Sequence, residues 1–370
     1  MIGTYNYVLY TNDTVFLSQN WQGYLKAMNY IYGKVQPPGL LIVTGTRDWA
    51  RWQTGYNMSE AQMILYRTLA TGASLAQWAG DTTGLAATWT TRAAALQNTT
   101  LDWCYDAAFG AFKDNATQTT LHPQDANSMA VLFGVVGDTS SEALSISSRL
   151  LDNWTPIGAE TPELPGNVSP FISSFEIAAH LTVGETGRAL ELIRRSWGWY
   201  LHNPNGSEST VIEGYLVNGT FGYRWNRGYN NDFSYISHSH GWSSGPTSAL
   251  TEYVLGLSIV ERVGAAWKFA PQFGGLTDVQ GGFVTSLGKF QAQWTVTEDG
   301  YGATVNTPAG TSGQFILPVL KQGVKPRVLV DGKFVCPKWY RKSNTGDLVV
   351  INAVGGSHTI QVSASAPQKQ

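Results

Sequence analysis

The chain has 370 residues, 43% hydrophobic and 14% charged, so it is long enough to bury a large core and is not disordered. Its 24 basic residues nearly balance 26 acidic ones, for a net charge of -2, and no basic cluster occurs; nucleic acid and anionic membranes are therefore excluded as expected partners. The 14 tryptophans, 17 tyrosines and 14 phenylalanines favour a carbohydrate ligand, because aromatic faces stack on the C–H faces of sugars.

Apolar residues recur at helical spacing from about residue 14 to residue 263, as in Phe16, Leu17, Trp21 and Leu25. Further helices are predicted near residues 83–103, 125–136, 141–152, 168–183, 186–201 and 245–263, with short Gly, Pro, Asp and Thr connections between them. Such connections join antiparallel helices, and no repeat of fixed length is visible. A toroid of helical hairpins is therefore expected.

After Pro271 the pattern changes to short alternating runs with glycine-rich turns, such as GGFVTSLGKFQAQWTVTEDGYGATVNT and DLVVINAVGGSHTIQVS. A period of two residues with DG and GG turns predicts an antiparallel β-sandwich. The change places a domain boundary near residues 264–270, and the predicted domains are residues 1–266 and 267–370.

A first candidate site lies in VTGTRDWARWQTGYNMSEAQMILYR, where Asp48 stands beside Trp49 and Trp52. A carboxylate that accepts hydroxyl hydrogen bonds next to a stacking indole is typical of a sugar subsite. A packed loop in which Asp48 accepts backbone donors is the alternative, and the residues alone leave both open. Glu60 follows Asn57 by three residues, which predicts a variant of the capping box at a helix start.

A second candidate is Glu213, which lies among apolar neighbours in STVIEGY. Desolvation is expected to raise the proton affinity of such a carboxylate, which suits general acid or base catalysis. The alternative is a surface glutamate on a short strand. Upstream, Arg194 and Arg195 are interpreted as charges at the C-terminal end of a helix.

A third candidate is the segment SHSHGWSSGPT, which precedes an apolar stretch. Its serines and Pro246 fit a helix entry, but His240 and Trp242 are not needed for capping. In a toroid the loops at helix N-termini surround a central funnel, so His240 and Trp242 are predicted to face a ligand. A buried structural histidine is the alternative.

Five segments are present in a characteristic order: TGTRDWARW, SPFISSFEIAAHLTVGETGRALELIRRSWGWYL, STVIEGY, SHSHGWSSGPT and WKFAPQFGGLTDVQGGFVTSLGKFQAQW. Together they resemble the fungal branch of the α-L-rhamnosidases, glycoside hydrolase family 78, over nearly the whole chain. The resemblance implies an (α/α)6 toroid followed by a C-terminal β-sandwich. It also implies removal of terminal α-L-rhamnose with inversion and without a cofactor or metal.

The resemblance implies that Glu213 is the general base that activates water. The predicted sugar contacts are Asp48, Trp49, Trp52, Trp197, His240 and Trp242. The expected partner is a rhamnosyl glycoside, with no nucleic acid or membrane, while the aglycone, the linkage and the oligomeric state stay open. Cys104 and Cys336 fit no metal-ligand spacing, and whether they pair also stays open.

The general acid has no match in this chain. In the family, β-domains and an acidic, arginine-bearing stretch with the general acid precede the position that corresponds to Met1, so the toroid is expected to be N-terminally truncated, with loss of its first hairpin as one alternative. An inverting glycosidase needs two carboxyl groups roughly 6.5–9.5 Å apart, and only the base has a clear candidate. Asp48, Glu60 and Asp232 are the nearby acids, and none is assigned the role.

Two other functions compete with hydrolysis. A catalytically silent carbohydrate-binding protein of the same fold would follow from loss of the acid-bearing segment. A polysaccharide lyase is disfavoured, because no Arg/Lys cluster is available to neutralise a uronate carboxyl.

Export through a eukaryotic secretory route is indicated by eight N-x-[ST] sequons, where about three would arise by chance. The start, MIGTYNYVLYTND, lacks the features of a signal peptide, so the natural N-terminus is expected upstream. No apolar run is long enough to cross a bilayer. The sequons lie at Asn12, Asn57, Asn98, Asn115, Asn153, Asn167, Asn205 and Asn218.

Overall fold

The computed structural model describes residues 1–45, 47–52, 54–117, 120–320, 326–335, 339–344 and 346–363. It divides into two compact units, here called the helical unit and the β unit. The helical unit comprises Met1–Asn6, Asp13–Val183 and Arg188–Pro246, and the β unit comprises Tyr7–Asn12, Gly184–Gly187 and Thr247–Gln370. The domain boundary between residues 266 and 267 stays a prediction.

The predicted helical region is confirmed. The helix over residues 14–32 begins at a polar N-cap, where the Asp13 carboxylate accepts a 2.8 Å hydrogen bond from the Phe16 N–H. The helices are α1 (Ile2–Thr11), α2 (Thr14–Tyr32), α3 (Ser59–Trp78), α4 (Leu85–Cys104), α5 (Gln124–Leu132), α6 (Ser141–Arg149), α7 (Pro170–Thr182), α8 (Thr186–Ile193), α9 (Trp199–Leu201) and α10 (Gly245–Ala249). Helices α3 and α4 form a hairpin, in which Gly72 leaves room for the buried Trp89 ring.

Two helix predictions need correction. The helix predicted over residues 245–263 ends in a π-helical turn at Leu250–Val254, and a strand follows at Leu257–Ile259. Gly256 has φ +86°, a conformation that glycine adopts readily, and so allows the chain to turn between the helix and the strand. The prediction was wrong because a short apolar run suits a buried strand as well as a helix. Arg194 and Arg195 do not end a helix, because they begin a π-helical turn, Arg194–Gly198, that continues from α8 into α9.

A buried hydrogen-bond network joins helices α5, α6 and α7. Glu176 accepts 2.6 Å hydrogen bonds from the Trp154 indole and the Gln124 amide. His180 lies 3.3 Å from Glu176 and 2.7 Å from the Ser147 hydroxyl. The Ser–His–Glu order is that of a catalytic triad, but Ser147, His180 and Glu176 are fully buried, so the network stabilises helix packing rather than meeting a substrate.

Two-residue strands pair between the helices of the helical unit, mostly as local hairpins, although residues 167–168 pair with the distant residues 215–216. Longer strands build the β unit. The short strands are β1 (Val35–Gln36), β2 (Leu40–Leu41), β3 (Tyr105–Asp106), β4 (Ala111–Phe112), β5 (Trp154–Thr155), β6 (Gly158–Ala159), β7 (Asn167–Val168) and β8 (Tyr215–Leu216). The β unit has β9 (Leu257–Ile259), β10 (Ala266–Phe269), β11 (Asp278–Thr285), β12 (Gly288–Thr297), β13 (Gly300–Asn306), β14 (Ser312–Pro318), β15 (Arg327–Val330), β16 (Lys333–Val335), β17 (Trp339–Ser343), β18 (Gly346–Val354) and β19 (Ser357–Ser363).

The predicted β-sandwich is confirmed: in the described part of the β unit, sheets of five and six strands are ordered β17-β18-β14-β10-β9 and β11-β12-β13-β19-β15-β16. Neighbouring strands are antiparallel, except that β10 and β14 are parallel. The rings of Phe315 and His358, one from each sheet, lie 5.5 Å apart. Gly313 pairs with Trp267, and a Cβ there would overlap the buried indole, which explains the glycine in this strand.

Cys104 is buried at the end of α4, and burial raises the pKa of its thiol to about 11. Such a thiol is unreactive near neutral pH. Cys336 lies outside the described residues, so the pairing of the two cysteines stays open.

Candidate active site

Glu213 lies in the loop between α9 and β8, and only 2% of the residue is exposed, so the surface alternative is wrong. Its Oε1 accepts a 2.6 Å hydrogen bond from the Tyr229 hydroxyl, and its Oε2 accepts a 3.3 Å one from the Ser237 N–H. The following Gly214 packs against Tyr223, and a Cβ there would overlap the ring. The glycine therefore lets the buried carboxylate approach the aromatic core.

Residues 211–213 are hydrogen-bonded to residues 237–243, the segment that carries the predicted histidine and tryptophan. Besides the bond from the Ser237 N–H to Glu213 Oε2, four bonds make this connection, two of them between backbones and two from side chains to carbonyl oxygens. They are Glu213 N–H to Ser237 O at 2.8 Å, His240 N–H to Val211 O at 2.8 Å, Ser243 Oγ to Ile212 O at 2.7 Å and Trp242 Nε1 to Glu213 O at 3.0 Å. The structure thus brings together the second and third candidates of the sequence.

The half-buried Trp242 is positioned by aromatic contacts. Phe171 stacks on it with ring centroids 5.0 Å apart and planes at 12°, and His240 meets it edge-on at 4.5 Å. Trp197 has a different position from the one predicted: it is 6% exposed, and its indole donates a 2.6 Å hydrogen bond to the Ser243 carbonyl. Trp197 therefore supports the loop from within the core.

Asp48, Trp49 and Trp52 differ in burial. Asp48 is exposed and accepts a 2.7 Å hydrogen bond from the Trp49 N–H, whereas Trp49 is 9% exposed and donates its indole N–H to Asp125 at 3.1 Å. Trp52 is 51% exposed. The Trp49 ring belongs to the same buried cluster as Ile212, so the core beneath the first candidate continues beneath Glu213.

Two arginines that the sequence analysis missed connect the candidates. Arg224 donates to the Trp49 carbonyl at 3.2 Å and lies 4.6 Å over the Tyr229 ring. Arg227 donates to the Trp52 carbonyl at 2.9 Å. The only signal in the sequence was their place in the glycine- and aromatic-rich segment GYRWNRGYNND, whose folding partner could not be read from it.

Trp52 borders two clefts of the helical unit. One, of about 550 Å³, is also lined by Tyr56 and Asn115, and the other, of about 280 Å³, by Trp225 and Asn226. These volumes are of the order of known ligand sites, about 300–1,000 Å³. Exposed indole faces and side-chain amides in such clefts suit sugar rings and hydroxyls.

A buried group of carboxyls surrounds Arg51, in the loop that carries Trp49. Arg51 forms an ion pair with Asp114, and its Nη1 lies 3.3 Å from Asp125 Oδ2. Glu163 accepts backbone hydrogen bonds from Gln124 at 2.8 Å and Asp125 at 2.9 Å, at the start of α5. Asp125 thus contacts both Arg51 and the Trp49 indole and fixes the loop from below.

The capping role predicted for Glu60 is wrong. The N-cap of α3 is Met58, without a side-chain cap, and Glu60 is buried within electrostatic range of Arg51, Asp125 and Asp48. The spacing of Asn57 and Glu60 in the sequence fits a capping box. Only the folded structure shows that Glu60 is buried near the Arg51 guanidinium.

Burial governs the electrostatics of this group. It raises the pKa of Glu163 to about 8, helped by the Asp125 carboxyl, raises the pKa of Glu60 well above its ordinary value, and also raises the pKa of Asp125. Burial opposes the charge of Arg51, but the surrounding carboxyls, Asp125 first, outweigh it and raise the pKa of the guanidinium. One permanent cation is therefore shared by several acids, some of which hold protons.

The two exposed acids named from the sequence differ. Partial desolvation, with the Asp125 carboxyl, raises the pKa of Asp48. Asp232 caps a 3-10 turn through a 2.9 Å hydrogen bond from the Ser234 N–H, and the bonds from Ser234 lower the pKa of Asp232. Asp48 therefore retains a proton more readily than Asp232.

This architecture is similar to that of known proteins. Residues 260–329 match the family described as bacterial alpha-L-rhamnosidase C-terminal domain. The solved alpha-L-rhamnosidase from Dictyoglumus thermophilum is similar, with a TM-score of 0.72 and 15% identity, over 98% of this chain and 39% of that one. The fold is that of the α-L-rhamnosidases.

Two further structures agree. The Streptomyces avermitilis α-L-rhamnosidase complexed with L-rhamnose matches with a TM-score of 0.70 and 15% identity, over 96% of this chain and 31% of that one. The Aspergillus terreus enzyme matches with a TM-score of 0.65 and 17% identity, over 96% and 38%. The resemblance found in the sequence is confirmed, as is the predicted toroid followed by a β-domain.

The chain spans less than two fifths of the length of each of these three structures. No curated protein matches it. Within the described ranges, no group of three or more His, Cys, Asp or Glu side chains is arranged to hold a metal ion. No helix in the part of the chain that the structure describes is long and apolar enough to cross a membrane.

The raised pKa of Glu163 gives a testable dependence of stability on pH. Between the ordinary glutamate value, near 4.3, and about 8 the folded chain holds a proton that the unfolded chain has lost, so the free energy of unfolding falls as pH rises through this window. We expect Glu163→Gln to reduce that slope, by up to about 1.4 kcal/mol per pH unit, in urea unfolding measured from pH 5 to pH 8.

Glu191→Gln is the matched control, because Glu191 is exposed and paired with Arg195 on the helix surface. Its slope should equal that of the parent. The dependence of stability on pH, rather than stability itself, is compared. The two carboxylate oxygens of Glu163 each accept one backbone N–H, whereas the glutamine amide has a single acceptor oxygen, so Glu163→Gln is expected to lower stability at every pH. An unchanged slope in Glu163→Gln would contradict the account of the buried charges.

Proposed function

We propose that this chain is a glycoside hydrolase that removes terminal α-L-rhamnose with inversion, and that Glu213 is the general base that activates water. The observation that carries the proposal is the Glu213 carboxylate itself. It is buried and fixed through Oε1, while Oε2 accepts only the long hydrogen bond from Ser237 among the described residues. An oxygen with free lone pairs in a fixed place is what a general base requires.

In the proposed reaction a water molecule hydrogen-bonded to Glu213 attacks the anomeric carbon. Its proton passes to Oε2 as the new C–O bond forms and the bond to the leaving oxygen breaks. The leaving oxygen must receive a proton from a second carboxyl. Among the three acids considered from the sequence, Asp48 fits best, because it is exposed and its pKa is raised, whereas Asp232 caps a turn and Glu60 is buried near Arg51.

The proposed sugar contacts are Asp48, Trp49, Trp52, His240 and Trp242, with Trp197 in a supporting position. Their spatial connection favours one pocket: the arginine bridges join the Trp49 and Trp52 backbone to the Tyr229 loop, and Tyr229 contacts Glu213. The similarity to a rhamnosidase complexed with L-rhamnose supports the substrate class.

We also propose that the protein is secreted and glycosylated, which the sequons suggest. Asn167 is then the exception, because it is buried, its amide donates to the Pro165 carbonyl at 3.0 Å and its Oδ1 accepts from the Arg224 N–H at 2.9 Å. A glycan there is incompatible with the fold. Asn205 and Asn218, by contrast, are exposed.

Glycan mapping tests this proposal on folded protein secreted from a eukaryotic host. Enzymatic deglycosylation in ¹⁸O water followed by mass spectrometry should label Asn218 or other exposed sequons and leave Asn167 unlabelled. Substantial labelling at Asn167, or at no sequon at all, would contradict the proposal.

The central test of the reaction is Glu213→Gln, which keeps volume and hydrogen-bonding capacity but removes the basic carboxylate. We expect hydrolysis of an aryl α-L-rhamnoside to fall by roughly 10²–10⁴ while rhamnose binding survives. Glu208→Gln, the same change at an exposed position of the same loop, should retain the parent rate.

A Glu213→Gln protein with more than about a tenth of the parent rate would rule out the assignment. If the parent binds rhamnosides but releases no rhamnose, the protein is instead a carbohydrate-binding protein of the same fold. Product analysis by ¹H NMR adds the stereochemical check, since inversion releases β-L-rhamnose first.

A further inference from the structure

Tyr229 contacts the carboxylate of Glu213 more closely than any other group in the described structure. Its hydroxyl donates to Oε1 at 2.6 Å, within the range of short O–H···O⁻ hydrogen bonds. The backbone N–H of Ser237 reaches Oε2 only at 3.3 Å. The two oxygens of Glu213 are therefore unequal: Oε1 accepts a short hydrogen bond, and Oε2 accepts a long one.

The Tyr229 ring is itself fixed from outside the Glu213 loop. The Arg224 guanidinium lies 4.6 Å over it, and the Tyr235 ring stacks with it at 5.9 Å and 19°. Arg224 is itself anchored by two hydrogen bonds. Its guanidinium donates to the Trp49 carbonyl, and its backbone N–H donates to Asn167 Oδ1. The Tyr229 ring is thus held by two residues, Arg224 and Tyr235, that lie outside the loop that carries Glu213.

Tyr229 stays a donor over the whole physiological range. Desolvation, together with the Glu213 carboxylate, raises the pKa of Tyr229 to about 12. A phenol that keeps its proton can donate to the carboxylate but cannot compete with it for the proton of water. The base function therefore stays with Glu213.

We propose that Tyr229 is a positioning residue for Glu213: its hydroxyl holds Oε1 so that Oε2 faces the attacking water. This inference rests on the proposed function of Glu213. The hydrogen bond from Tyr229 fixes one oxygen of the carboxylate and so orients the other, and correct placement of a catalytic group contributes strongly to rate.

Other titratable groups face this region and enter any pH dependence. They are Tyr223, whose hydroxyl interacts electrostatically with Glu213 and donates to Ser169, the permanently charged Arg224, and His238 and His240 of the segment joined to residues 211–213. The test must therefore compare variants that leave these groups in place.

Tyr229→Phe is the decisive variant, because it removes one hydroxyl and keeps the ring contacts to Arg224 and Tyr235. With an aryl α-L-rhamnoside we expect the acidic limb of the kcat/KM profile to move to higher pH by about one unit, since the charged carboxylate loses a donor. We also expect kcat at the plateau to fall about tenfold and KM to change less than about twofold.

Tyr235→Phe is the matched control: the same hydroxyl is removed from the stacked ring, which is 61% exposed. Its profile should coincide with that of the parent. A Tyr229→Phe profile that coincides with the parent would overturn the inference, and so would an equal shift in both variants.

A second readout separates this inference from the proposed function. The ¹³C signal of the Glu213 carboxyl, assigned by its loss in Glu213→Gln, can be titrated by NMR without any turnover. Its midpoint should move to higher pH in Tyr229→Phe and stay in place in Tyr235→Phe. If the chain proves inactive but the midpoint moves, the proposed reaction fails and the contact stands; if the midpoint does not move, the positioning role fails whatever the activity.

Discussion

The position of the Glu213 carboxylate depends on the hydrogen bonds that join residues 211–213 to residues 237–243. Both segments are irregular, and each alone would leave buried backbone groups without partners. Together they satisfy one another: the Glu213 and His240 N–H groups and the Ser243 hydroxyl all find carbonyls across the pair. The backbone of the buried carboxylate is already fixed by these bonds, so little further ordering is needed to hold the side chain in place.

The group around Arg51 provides a second constraint, on the loop that carries Asp48, Trp49 and Trp52. Asp125 contacts both Arg51 and the Trp49 indole, so the same carboxyl that neutralises the cation also orients the tryptophan. Removing one member of such a buried group leaves uncompensated charge, typically at a cost of about 3–5 kcal/mol. The loop is therefore held rigidly from its buried side, while Trp52 remains exposed to the clefts.

The sequence predicted the features that depend on local pattern. Helical spacing located α2 to α8, alternation located the strands of the β unit, and the apolar neighbours of Glu213 indicated a buried carboxylate. The predictions that were wrong concern residues whose partners are distant in the sequence. Glu60 fits a capping box locally but is buried near Arg51, and Leu257 continues a helical pattern but pairs, in β9, with Phe269. Arg224 and Tyr229 were missed because nothing in the segment GYRWNRGYNND shows that it lies across Trp49 and Glu213.

We propose that Glu213 and the Asp48–Trp52 loop belong to one rhamnose site. The most direct measurement is a crystal structure of the chain soaked with saturating L-rhamnose. We expect a sugar ring whose anomeric carbon is separated from Glu213 Oε2 by a single water molecule and whose ring or hydroxyls contact Asp48, Trp49 or Trp52. A sugar bound elsewhere, or none bound at saturation, would contradict it.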